Sequence, residues 1–162
     1  MNKQQVYEFL NSKNIWYEIT EHKPAYNMAD MAEIEFPYPD GDAKNIFVRD
    51  DKKANYYLIS VKANKRVDLK DFKNKYNTRH LSFAHDDELM NILGLIPGSV
   101  TPLGVLNDKD KIVKVYIDKE FMINNIIGVH PNENTATVWL KTSDLLNIVK
   151  EHGNSIELID IQ

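Results

Sequence analysis

The stretch from Gly94 to Leu106, GLIPGSVTPLGVL, constrains the fold more than any other, because neither a regular helix nor a regular strand can run through it. Pro97 and Pro102 lack amide hydrogens and hold φ near one value, while Gly98 between them can take φ above zero. Gly98, Ser99, Val100 and Thr101 therefore form a stiffened arch. Two readings are open for it. It is either a tight connection out of a helix, or a cradle whose unpaired N–H groups converge on a carbonyl oxygen, a phosphate or an attacking water.

Around the arch, short helical and strand patterns alternate. Val6, Phe9 and Leu10 predict an amphipathic helix over 3–13, and WYEIT predicts a strand over 16–20. Residues 27–34 read as a short helix with Met28, Met31 and Ala32 inward, and FPYPDGDA reads as a loop. KNIFVRD at 44–50 places Ile46 and Val48 on one side and Asn45, Phe47 and Arg49 on the other. DDKK then turns the chain into NYYLISV at 55–61, an antiparallel hairpin with Lys44 at its mouth. Asp68 caps a helix to about Tyr76, and Asp86 or Asp87 caps another through Leu93 that Gly94 stops.

After the arch, GVL, a turn at NDKD and the alternating KIVKVYI at 111–117 predict a second hairpin. Asp118 starts a helical turn, and IIGVH and TATVWL read as strands. Thr142 or Ser143 caps a last helix ending near Gly153, and SIELIDI closes as a strand. Hairpins interrupted by helices predict an α+β fold with a mixed, largely antiparallel sheet flanked by helices. A content of 43% hydrophobic and 27% charged residues fits a single domain over 1–162.

Several function classes fall away. There is no cysteine, so disulfides, thiolate metal sites and a cysteine nucleophile are excluded. None of the five histidines is paired at metal-ligand spacing and no Gly-rich nucleotide loop occurs, so neither metal nor cofactor is expected. No apolar run approaches a membrane span and MNKQQVYEFL does not read as a secretion signal, which predicts a cytoplasmic protein without a membrane partner. The net charge of −4 argues against a broad nonspecific grip on nucleic acid. The Lys-rich run from Lys62 to His80 reads as a solvated helix face or as a local phosphate contact.

What remains is the arch, Lys44 and His130. On its own Lys44 reads as a solubilising charge, and His130 reads equally as a core residue fixing the HPNEN turn or as a proton-transfer group. A triad of Ser99, His130 and a carboxylate is disfavoured because GSV is not a nucleophile elbow. Together the three features suit hydrolysis of an already reactive ester, such as an aminoacyl ester, by a positioned water without a covalent intermediate.

KNIFVRD, RVDLKDF, LSFA followed by LGLIPGSVTPLGVLND, and HPNENTATV with a closing SDLL helix occur in that order from about Pro24 to Val149. In this arrangement the chain resembles the free-standing type of the YbaK/prolyl-tRNA synthetase-associated editing domain family. The resemblance implies hydrolysis of alanine mischarged onto proline tRNA, in trans to prolyl-tRNA synthetase. It implies that Lys44, with Asn45 beside it, holds the terminal adenosine phosphate or neutralises charge near the ester. Gly98, Ser99, Val100, Thr101 and Pro102 would surround the aminoacyl carbonyl and the water. His130, Pro131, Asn134, Thr135, Ala136 and Thr137 would line the aminoacyl pocket.

The family analogy also implies that a terminal ribose hydroxyl of the tRNA helps activate the water. KPAYNMADM departs from the family's usual run and puts Tyr26, Asn27 and Met28 near the pocket. Lys62, Lys65 and Arg66 are expected to meet phosphates of the tRNA(Pro) acceptor end. Removal of cysteine from the same tRNA, a noncatalytic tRNA or aminoacyl-binding module and a plain interaction domain are the alternatives.

Overall fold

The computed structural model describes residues 1–24 and 34–161. Tyr26, Met28 and nearly all of the helix expected over 27–34 lie outside the described residues.

The N-terminal helix α1 (Lys3–Ser12) is fixed by a reciprocal cap: Gln5 N–H donates to Asn2 Oδ1 at 2.8 Å and Asn2 N–H donates to Gln5 Oε1 at 2.9 Å. Its Val6 and Leu10 are fully buried. The strand β1 (Tyr17–Glu21) follows, then β2 (Ala43–Asp50) and β3 (Tyr56–Lys62), which form the expected hairpin with Ile46 opposite Ile59. Helix α2 (Leu69–Tyr76) starts where Asp68 accepts from the N–H groups of Lys70 and Asp71.

A short strand, β4 (Leu81–Phe83), then pairs with β2. The sequence pattern did not mark it, since three residues are too few to display a period. Helix α3 (Asp86–Leu93) has His85 as its cap residue rather than Asp86 or Asp87, with His85 N–H donating to Glu88 at 3.0 Å; the two aspartates stand inside the first turn. Gly94 ends it in the left-handed conformation.

The hairpin expected after the arch does not form. Pro102–Asn107 winds as a 3-10 turn instead, because Pro102 is preset for a first helical turn and Thr101 Oγ1 accepts from Leu103 N–H. This turn buries Leu103 and Val105 and carries the chain away, so that β5 (Val113–Asp118) runs parallel to β3. The strands β6 (Ile127–Val129) and β7 (Ala136–Leu140) come next. Helix α4 (Thr142–His152) has Lys141, not Thr142 or Ser143, as its cap residue; the Thr142 hydroxyl donates to the Phe121 carbonyl at 2.9 Å. The last strand, β8 (Ile156–Ile159), lies parallel to β5.

Two sheets result. One has the order β1-β7-β6 and is antiparallel throughout; the other has the order β4-β2-β3-β5-β8, antiparallel on one side and parallel on the other. The fold is α+β with mixed, largely antiparallel pairing. Val48, Tyr57, Ile59 and Val61 face Phe72 of α2 on one side of the larger sheet. On the other side Leu58, Val115 and Ile117 join a core with α1, α3, α4 and the smaller sheet. The sheets meet at a parallel bridge between Asp42 and Gly128, just before β2 begins.

Candidate active site

At this seam the chain leaves a cavity of about 560 Å³. One wall is the entry to β2, contributing Asp42, Ala43, Lys44 and Asn45; the arch contributes Gly98 and Val100, and His130 follows β6 into the same space. Phe36 and Ala63 add apolar surface. A smaller recess of about 50 Å³ adjoins it, sharing Phe36, Asp42, Asn45 and His130 and adding His22, Gly128 and Thr137. The three groups singled out from sequence, namely Lys44, the arch and His130, thus face one space.

Gly98 takes φ +89, the left-handed region in which a side chain is strained. Ser99 N–H donates to the Ile96 carbonyl at 3.1 Å, so that group is used within the arch. Among the described residues nothing accepts from the N–H of Gly98 or Val100, the two arch residues on the cavity wall. Ser99 is buried, and Thr101 and Pro102 are buried in the start of the 3-10 turn. These three shape the arch without lining the cavity.

Lys44 is exposed at the rim, where its Nζ donates to the Lys65 carbonyl at 2.6 Å. The Ser60 hydroxyl donates to Asn45 Oδ1, which leaves the Asn45 NH₂ as a donor on the wall. His130 Nδ1 lies 3.1 Å from the Ala136 carbonyl, an acceptor only, so Nδ1 carries the proton and Nε2 is left as an acceptor. Burial lowers the His130 pKa, the Ala136 hydrogen bond offsets part of this, and the neighbouring His22 lowers it further; the ring is neutral near pH 7.

The HPNEN turn is placed differently from expectation. Asn134 is buried, Thr135 Oγ1 accepts from Lys3 Nζ at 3.1 Å, and Lys3 N–H donates to Glu133 at 3.0 Å, so this turn docks the start of α1. Ala136 is buried and serves the site through its carbonyl. Only Thr137 of the Asn134–Thr137 run lines the recess, its hydroxyl 3.0 Å from His22 Nε2.

The basic run is also divided. Lys65 is turned inward, pairing with Asp118 at 2.8 Å and Glu120 at 2.9 Å. Lys62 donates to the Asp40 carbonyl with its Nζ 5.1 Å from the Phe121 ring centroid, and Arg66 is exposed.

Sequence reasoning missed Asp42, Ala63, Phe36 and His22. Asp42 had a legible signal, standing two residues before Lys44 on an extended chain, where alternate residues share a side. Burial pushes its carboxyl up to about 6, against partial offsets from the Ala43 N–H and from His22. Phe36 stands in the same turn-rich loop, while His22 and Ala63 come from other segments, and nothing local marks any of the three. Among the described residues there is no group of acidic or histidine side chains fit to hold a metal ion.

A cavity with a lysine at its rim, two arch N–H groups on its wall that nothing among the described residues uses, and a neutral histidine holds groups suited to hydrolysis of a reactive ester. Residues 22–148 match the profile of the family described as the aminoacyl-tRNA editing domain, and the chain belongs to that family. It is 39% identical over 159 residues to the prolyl-tRNA editing protein ProX of Acetoanaerobium sticklandii, covering 98% of this chain and 97% of that one. It is 29% identical to the mouse (Mus musculus) prolyl-tRNA synthetase associated domain-containing protein 1, over 85% of this chain and 83% of the relative. A crystal structure of a candidate trans-editing enzyme for prolyl tRNA synthetase superposes with a TM-score of 0.71 at 16% identity, over 99% of this chain and 96% of that one, which supports the fold. No helix among the described residues is long and apolar enough to cross a membrane.

Proposed function

We propose that residues 1–162 act as a single trans-editing domain that hydrolyses alanyl-tRNA(Pro), a mischarged product of prolyl-tRNA synthetase, in the cytoplasm. The observation that carries this reading is that Lys44, Gly98, Val100 and His130 line one cavity with a small recess attached. Lys44 at the rim holds the phosphate of the terminal adenosine, with Asn45 as a neighbouring donor. The Gly98 and Val100 N–H groups receive the carbonyl oxygen as it gains negative charge. Water adds its oxygen to the carbonyl carbon, the ester C–O bond breaks, and the proton passes to the ribose oxygen, giving free alanine and tRNA. A ribose hydroxyl of the substrate helps position the water.

The recess offers a basis for selectivity. A synthetase pocket built for proline cannot fully reject the smaller alanine, so a second, smaller chamber removes it and excludes the proline ring. His22, His130 and Thr137 around this chamber set its size. Lys62 and Arg66 lie toward the acceptor stem and give binding that weakens with salt; Lys65 contributes through its carbonyl to Lys44.

Single-turnover incubation with alanyl-tRNA(Pro) tests the reading. Release of alanine is expected, whereas tight binding without release would identify a noncatalytic binding module and refute it.

A further inference from the structure

Asp42 is the one acidic side chain on both the main cavity and the recess as their linings are described. It forms no ion pair with a lysine or arginine among the described residues, and the remaining sequence, AYNMADMAE and Gln162, contains no basic side chain. His22 stands nearby, and its ring nitrogens are occupied by the Lys23 carbonyl and Thr137. A carboxylate held in a half-closed cavity without a cationic partner is costly in the empty protein. That cost falls when a ligand brings the missing charge.

An aminoacyl ester brings such a charge, because its α-amino group stands one carbon from the carbonyl under attack. We propose that Asp42 is the counter-charge for the α-ammonium group of the bound aminoacyl ester, so that the enzyme selects esters with a free amine over N-acylated ones. The inference rests on the deacylase reading above. Its geometric support is the polarity of the cavity. Lys44 stands at the rim, and Asp42, about 7 Å back along the extended chain, reaches the recess. The end of the substrate has the same order of charge, with phosphate outside, ester between and ammonium inside. Peptidyl and N-formyl esters, which lack the cation, would then be refused by a group distinct from the size filter.

The test uses 3′-alanylamino-3′-deoxyadenosine 5′-phosphate, whose amide resists hydrolysis, and its N-acetyl counterpart, each titrated against wild-type protein and Asp42→Asn. Wild type is expected to bind the free-amine compound on the order of 10-fold more tightly. In Asp42→Asn the two affinities should converge, with that for the N-acetyl compound unchanged. Equal binding by wild type, no binding of either compound, or a preference retained in the variant overturns the assignment.

Asp42 serves the fold through its backbone, accepting from Ala63 N–H at 3.0 Å, so the variant, relieved of the buried charge, should melt no lower than wild type; Asp42→Ser gives a second neutral side chain should it do so. Because no bond is cut in this assay, failure of the deacylase reading appears separately, as absence of alanine release from the true ester.

Discussion

Gly128 lies so close to the indole of Trp139 that a Cβ there would come within 2.4 Å of the ring. Trp139 is itself immobilised, fully buried with its Nε1–H donating to Thr20 at 2.9 Å. The close approach allows the Asp42 backbone to bridge Gly128 and so brings β2 to the smaller sheet, with the cavity at the join. Gly128→Ala should therefore overpack the seam and cost about 1–3 kcal/mol in urea denaturation. A loss within about 0.5 kcal/mol, the range of an ordinary surface change, would show that the ring yields freely.

Glu88 ties α3 to the larger sheet, accepting from Arg49 at 2.9 Å and from the Tyr56 hydroxyl at 2.6 Å. Burial alone would raise its pKa, but Tyr56, the His85 N–H and Arg49 outweigh it and hold the carboxyl down to about 2. Since the folded value lies below the ordinary 4.5, this network is fully stabilising above about pH 4.5 and is lost as pH falls toward 2. Glu88→Gln should cost about 1–3 kcal/mol at pH 7, and the gap to wild type should narrow at pH 3. An equal gap at both pH values in urea denaturation would contradict the assignment.

Lys44→Ala should lower single-turnover deacylation at least ~10-fold, equivalent to about 1.4 kcal/mol of transition-state stabilisation. The side chain is exposed, and its one hydrogen bond among the described residues is to the Lys65 carbonyl, so thermal stability should barely change. An unaltered rate would reduce Lys44 to a surface charge.

Gly98→Ala forces a side chain into φ near +89, with strain of about 1–2 kcal/mol. The arch should relax away from the cavity, lowering turnover by more than the stability loss explains. Activity and stability falling in step would mark the arch as a connector.

Much of this arrangement was legible in the sequence because it is local. Pro97, Gly98 and Pro102 dictate the arch whatever surrounds it, and the alternation of KNIFVRD fixes which residues share a face. Pairing partners were less legible. KIVKVYI reads as a strand by its own pattern, but whether GVL or NYYLISV lies beside it depends on the winding of Pro102–Asn107, where the Pro102 and Thr101 signals act together with the burial of Leu103 and Val105. The cavity's hidden members illustrate the same limit. His22 and Thr137 are 115 residues apart, and Asp42 sits in a loop read from its turn composition alone. Lys65 looks in sequence like its neighbours Lys62 and Arg66, yet Asp118 and Glu120 from a distant segment draw it inward.

The most direct test of the account is the rate of amino-acid release from proline tRNA charged in turn with alanine, cysteine and proline. Fast release of alanine, with the prolyl ester left intact, is the predicted result. Comparable cleavage of the prolyl ester, or preference for cysteine over alanine, would contradict a recess fitted to a methyl side chain.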